Sequence, residues 1–99
     1  MINFNFDELI KNNDIIIFTL QGCKPCYDFV NKIVKLLNDK KLRFTIMNVD
    51  DIDTAKSLKN IGIKAFPTMI IVEENNLIYY VGNCSEKRLK DILEVHYGM

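Results

Sequence analysis

Hydrophobic residues along this chain fall into blocks whose spacing changes from one block to the next. Phe6, Leu9 and Ile10 recur at helical spacing within Phe4 to Asn12, and Asn12-Asn13-Asp14 breaks the pattern. The β-branched run Ile15-Ile16-Ile17-Phe18-Thr19-Leu20 then reads as a buried strand. Phe29, Val30, Ile33, Val34, Leu36 and Leu37 repeat on one face of a second helix that ends near Asn38-Asp39. Leu42 to Val49 alternates as a strand, completing a βαβ unit. Asp51 or Asp53 is placed to cap a short helix carrying Ala55, Leu58 and Ile61, stopped by Gly62. Thr68 to Val72 reads as another buried strand. Glu73-Glu74-Asn75-Asn76 reads as the turn of a hairpin that returns through Leu77 to Val81. Ser85 caps a last helix with Leu89, Ile92, Leu93 and His96 on its apolar stripe. The pattern predicts an α/β protein.

With 99 residues, the chain is expected to form one domain, residues 1–99, with a single core around one sheet. Thirteen basic and thirteen acidic side chains balance, and no run of like charge occurs, so neither nucleic acid nor an anionic membrane is an expected partner. No apolar run approaches a membrane span. The first residues, Met1-Ile2-Asn3-Phe4-Asn5-Phe6-Asp7-Glu8, carry neither the basic flank nor the apolar stretch of a secretion signal, which points to the cytoplasm. Three cysteines, an odd count, argue against a structural disulfide framework and for a reducing compartment.

The chemistry is concentrated in Cys23-Lys24-Pro25-Cys26, between the first buried strand and the second helix. Thiols at i and i+3 at the mouth of a helix can close a small disulfide. Cys23 would sit where unpaired N–H groups and the positive end of the helix dipole favour an anion, which makes it the expected nucleophile. Cys26, one turn into the helix and more shielded, is the expected resolving thiol. Lys24 beside the nucleophile is either solvated surface or a cation that favours the thiolate.

Other readings of the same residues are structural. Cys23, Cys26, Cys84 and His96 make a Cys₃His set by count, the ligand set of a structural zinc site. Yet Ser85 to His96 reads as one helix, which at ~1.5 Å per residue separates Cys84 from His96 by roughly 18 Å. No metal is expected. Cys84 is expected to pack as a small hydrophobe. His96 near a helix C-terminus is expected to interact favourably with the dipole. Tyr27 and Phe29 are expected to pack.

The order of elements and a Cys-x-x-Cys after the first strand resemble the thioredoxin superfamily over almost the whole chain. Gly62-Ile63-Lys64-Ala65-Phe66-Pro67-Thr68 is similar to the thioredoxin loop whose proline is cis and faces the disulfide. Val81-Gly82 is similar to the family's Val-Gly tail, where a substrate chain lies close. The resemblance implies a central mixed sheet of about four strands with helices on both faces, a three-layer sandwich. It also implies a cytoplasmic, monomeric protein-disulfide reductase for electron transport and cell redox homeostasis. Cys23 and Cys26 would be catalytic, with Gly22, Lys24, Pro25, Phe66, Pro67 and Gly82 contacting the substrate. No cofactor is implied beyond the redox-active disulfide, and the expected partners are protein disulfides and a thioredoxin reductase or similar donor.

The sequence departs from thioredoxins at Gly22, at Lys24, where thioredoxins usually have Gly, and at Ile17 and Ile46. Gly22 stands before the nucleophile where thioredoxins usually have Trp, so the entry Phe18 to Cys23 is closer to a glutaredoxin's. The intervening residues and the replacement of a Gly-Gly pair by Gly82-Asn83 are unlike glutaredoxin. The buried Asp and Lys of thioredoxins correspond to Ile17 and Ile46. A glutaredoxin-like enzyme recharged by glutathione and a redox-inactive interaction module are the alternatives.

Overall fold

A computed structural model describes residues 5–74 and 76–98. Eight elements run in the order α1 (Phe6–Asn12), β1 (Ile15–Leu20), α2 (Lys24–Leu37), β2 (Phe44–Val49), α3 (Ile52–Lys59), β3 (Thr68–Glu73), β4 (Asn76–Val81) and α4 (Glu86–Tyr97). The four strands form one mixed sheet in the order β2-β1-β3-β4. β1 runs parallel to β2 and antiparallel to β3, and β4 returns antiparallel to β3.

The central strands have no polar alternation because both of their faces are covered. Ile15 and Ile17 of β1, with Met69 and Ile71 of β3, meet Phe29, Ile33 and Leu37 of α2 and Leu89, Ile92 and Leu93 of α4. The opposite pleat carries Ile16, Phe18 and Ile70, which pack with Leu58 of α3, with Ile63, and with Phe6, Leu9 and Ile10 of α1. Two helices on each face give the three-layer arrangement. Each fully buried Ile contributes on the order of 1.5–3 kcal/mol relative to exposure, so the seven apolar positions of β1 and β3 named here anchor both layers.

Side-chain caps place the helix starts. Asn5, Asp51 and Ser85 accept hydrogen bonds from the backbone N–H groups of Glu8, Thr54 and Arg88. Of the two aspartates expected to cap α3, Asp51 does so. Phe4, placed in the first helix by its spacing, and Asn75, placed in the hairpin turn, lie outside the described residues.

Several boundaries differ from expectation. β2 begins at Phe44 rather than Leu42, because Asp14 captures the Arg43 backbone: Arg43 N–H donates to the Asp14 carboxylate at 2.9 Å and the Arg43 carbonyl accepts from Asp14 and Ile15. Ile61 lies beyond α3, where Asn60, Ile61 and Gly62 each donate to the carbonyl three residues back and close the helix in a tighter turn. Glu73 and Asn76, both expected in the turn, close β3 and open β4 opposite one another.

The strand directions bring three loops to one end of the sheet. β1 ends there and leads to Cys23, β3 starts there just after Pro67, and Val81, the last residue of β4, pairs with Thr68.

Candidate active site

Cys23 is the N-cap of α2, and Pro25 fills one of its first positions, where a missing N–H costs no helical hydrogen bond. Gly22, at φ +79, turns the chain from β1 into the cap. Cys23 N–H donates to the Leu20 carbonyl at 3.0 Å, which fixes the turn. Cys23 and Cys26 are joined by a disulfide. Their surroundings differ: Cys26 is 0% exposed on the buried stripe of α2, whereas Cys23 is partly open to solvent. The Cys26 N–H points at Cys23 Sγ from 3.3 Å. In the reduced protein that donor and the helix end favour negative charge on Cys23.

The facing wall is the loop before β3. The Phe66–Pro67 peptide bond is cis, as the family resemblance implied, and the Phe66 carbonyl oxygen lies 3.9 Å from Cys23 Sγ. Thr68 Oγ1 donates to the Ala65 carbonyl at 2.7 Å and holds the loop in shape. Pro67 is buried, Phe66 partly so, and Lys64 and Ala65 are exposed. Gly82 N–H donates to the Pro67 carbonyl at 2.8 Å, joining the third loop to the second. Gly82 has φ +92, and a Cβ there would meet nothing within 4 Å, so the space beside its backbone is open.

The residues singled out in the sequence therefore gather at one place: Gly22, Cys23, Lys24, Pro25 and Cys26 on one wall, Phe66 and Pro67 on another, Gly82 between. Lys24 is exposed on the first turn of α2. Ile17 and Ile46, at the positions of the family's Asp and Lys, are register partners on the face covered by α2.

One side chain departs from expectation and another has partners beyond those expected. Tyr27 is 56% exposed rather than packed, and its phenol oxygen accepts from Gly22 N–H at 3.3 Å, so the ring braces the turn before the nucleophile. That contact crosses from helix to loop and has no signature in residue spacing. His96 is the basic residue in the last turn of α4, as expected, and is held there by side chains as well. Its Nδ1 lies 2.9 Å from Glu73 Oε2 and its Nε2 lies 2.6 Å from the Tyr80 hydroxyl, so Nδ1–H donates to the carboxylate and the phenol donates to Nε2.

Cys84 is partly buried and packs against the α2–α4 side of the core. Burial pushes its thiol pKa up, with Lys32 and Arg88 pulling in the opposite direction. It sits just before α4, while His96 is in the last turn of that helix. Among the described residues, no group of three or more His, Cys, Asp or Glu side chains is placed to hold a metal ion.

The sequence profile of the thioredoxin family matches residues 1–95. The chain belongs to the thioredoxin family. Solved thioredoxins share the fold. Thioredoxin f2 of Chlamydomonas reinhardtii is 21% identical, with a TM-score of 0.73 over 95% of this chain and 90% of that one. Plasmodium falciparum thioredoxin is 19% identical, with a TM-score of 0.69 over 92% of each. Mitochondrial thioredoxin 3 of Saccharomyces cerevisiae is 24% identical, with a TM-score of 0.67 over 91% of this chain and 86% of that one. At these identities the likeness is one of fold. No curated protein sequence matches the chain significantly. Family membership and the bonded Cys23–Cys26 pair together support a thiol–disulfide oxidoreductase. Among the described residues, no helix is long and apolar enough to cross a membrane.

Proposed function

We propose that this thioredoxin-family protein reduces protein disulfides through a dithiol–disulfide cycle of Cys23 and Cys26, as a monomer in the cytoplasm. The observation that carries this reading is the asymmetry of the pair, one sulfur partly open at a helix cap and the other fully buried. The Cys23 thiolate attacks one sulfur of the substrate disulfide. That bond breaks, the departing substrate sulfur takes up a proton, and a mixed disulfide remains. Cys26 then loses its proton and attacks Cys23 Sγ, releasing the second substrate thiol and leaving the Cys23–Cys26 disulfide. Two electrons have passed to the substrate. A dithiol donor of the thioredoxin-reductase type returns them.

Phe66, Pro67 and Gly82 form the ledge on which an extended substrate chain lies, and Gly22, Lys24 and Pro25 form the opposite rim. The open space at Gly82 and the partly apolar wall at Phe66 support that assignment. The test compares turnover of a protein disulfide with NADPH plus thioredoxin reductase and with glutathione plus glutathione reductase. Turnover from the first system, and only weak turnover from the second, is the expected result. Efficient use of glutathione with none from the reductase would make the protein glutaredoxin-like, and inactivity in both would leave an interaction module.

A further inference from the structure

We propose that Asp28, Lys32 and Asn83 form a positioning clasp that ties the substrate ledge to the helix carrying the thiols, and so governs recognition of protein disulfides but not of small ones. The proposal rests on the reading of the site as a protein-disulfide reductase.

Asp28 lies two residues after Cys26 on α2. Its Oδ2 accepts from Asn83 Nδ2 at 2.8 Å and pairs with Lys32 Nζ at 2.9 Å. Lys32 Nζ also donates to the Cys84 carbonyl. The i,i+4 spacing of Asp28 and Lys32 holds the ammonium in place before it reaches across. The Lys32 side chain is 21% exposed and that of Asp28 61%, so the clasp runs along the rim of the site with its ammonium tucked inward. Asn83 and then Lys32 hold the Asp28 carboxyl below its usual pKa, as expected for a carboxylate with two donors.

The loop it holds is Gly82 to Ser85. Val81 and Asn83 are exposed and Gly82 has no side chain, so apart from Cys84, which packs against the core, little packing fixes the path of the loop between β4 and α4. Its placement depends on hydrogen bonds at both sides: Gly82 N–H to Pro67 on one, Asn83 and the Cys84 carbonyl to α2 on the other. The gap between Cys23 and the Gly82 backbone is therefore set through α2. An extended chain that lies in that gap senses its width. A small disulfide, which touches only the sulfurs, does not.

The test uses the full chain with a folded protein disulfide and a small aromatic disulfide as alternative substrates. Asn83→Ala removes one tie without changing charge, and Asn83→Asp sets two carboxylates against each other. Asn83→Asp combined with Asp28→Asn restores a donor–acceptor pair and the original net charge. Given the modest net worth of hydrogen bonds to charged groups, KM for the protein disulfide should rise about fivefold in both single variants with kcat little changed. The double variant should return to within about twofold, as expected for directly coupled residues. Reduction of the small disulfide by Asn83→Ala should stay within about twofold of wild type, a readout that general destabilisation would move. An unchanged KM in the single variants, an equal loss on both substrates, or no recovery in the double variant overturns the clasp. If the wild-type chain reduces neither disulfide, the reductase reading fails and the clasp with it.

Discussion

Ile17 and Ile46 stand opposite one another on β1 and β2, on the face of the sheet covered by the helix that buries Cys26. Two apolar side chains occupy the places that correspond to an Asp–Lys pair in thioredoxins. Cys26 must nevertheless lose a proton to close the disulfide. Ile17 and Ile46 have no ionisable group, so in the proposed cycle neither of them takes up that proton.

The pH dependence of the reaction should accordingly be simple. Reduction of a protein disulfide should rise with pH along one ionisation, that of the Cys23 thiol, and level off without a second step from a buried carboxylate. Steady-state rates between pH 5 and 9 measure this. A distinct second ionisation in that range would show that another group takes part.

Ile17→Asp should make the point from the other side. A carboxyl buried among Phe29, Ile33 and Met69 is penalised when charged, so its folded pKa lies above its unfolded value of about 3.9. Above that unfolded value the unfolded chain binds fewer protons than the folded one. Stability therefore falls as pH rises toward the folded pKa and stays low above it. Urea unfolding at pH 5 and pH 8 should show a loss of a few kcal/mol that is larger at pH 8. Equal losses at the two pH values would mean that the carboxyl finds solvent.

Division of labour between the thiols predicts opposite phenotypes. Cys23→Ser should abolish reduction, and Cys26→Ser should still attack but accumulate mixed disulfides, because the second displacement is missing. Intact-mass analysis of each variant after exposure to a protein disulfide reads this out. Adducts on Cys23→Ser instead would reverse the roles.

Charge at the rim should tune the nucleophile. The Cys23 thiol is expected to titrate well below a free thiol's ~8.5, near ~7 or lower, with help from the helix end and Lys24. Stabilising the thiolate favours the reduced form, so the potential should lie above thioredoxin's roughly −270 mV, toward the glutaredoxins' ~−200 to −230 mV. Lys24→Glu should raise the thiol pKa and make the potential more negative. Alkylation rate against pH, and equilibration with a glutathione buffer, measure the two, and an unchanged alkylation midpoint would remove Lys24 from the mechanism.

The fastening at the far end of the sheet should be separable from chemistry. Glu73 ends β3, five residues beyond Thr68 and so roughly 17 Å from the thiol end of the sheet. His96 there has a side chain only 7% exposed and binds both Glu73 and Tyr80. His96→Ala should cost about 1–3 kcal/mol by stripping the Tyr80 hydroxyl of its acceptor, while leaving kcat and KM within about twofold. Denaturant unfolding beside steady-state kinetics checks both, and a large loss of activity at unchanged stability would tie His96 to the reaction.

What was legible in the sequence follows from the range of the interactions involved. The bounds of β1 are readable because the run Ile15-Ile16-Ile17-Phe18-Thr19-Leu20 between Asp14 and Gln21 admits few other uses, and Ser85 because a cap acts only three residues ahead. The thiol pair and the Phe66-Pro67 loop were recognisable as motifs. The end of α3 before Ile61 is not legible, since tightening of its last turn is a backbone event that leaves no mark in apolar spacing. The contacts of Tyr27 and His96 are illegible for a related reason. Their partners, Gly22, Glu73 and Tyr80, become neighbours only after loop, hairpin and helix have packed. Asn83 reaches Asp28 across fifty-five positions, which spacing alone could not reveal.

The central claim, that Cys23 and Cys26 carry electrons to a protein disulfide, is tested most directly by a single turnover. Pre-reduced protein is mixed with an equimolar protein disulfide in the absence of any other reductant, quenched with acid and an alkylating agent, and mapped by mass spectrometry. The expected result is conversion of the substrate disulfide to two thiols, matched one for one by a Cys23–Cys26 disulfide, with Cys84 still alkylated. A reduced substrate with Cys23 and Cys26 both alkylated, or an untouched substrate beside a fully reduced chain, would contradict the claim.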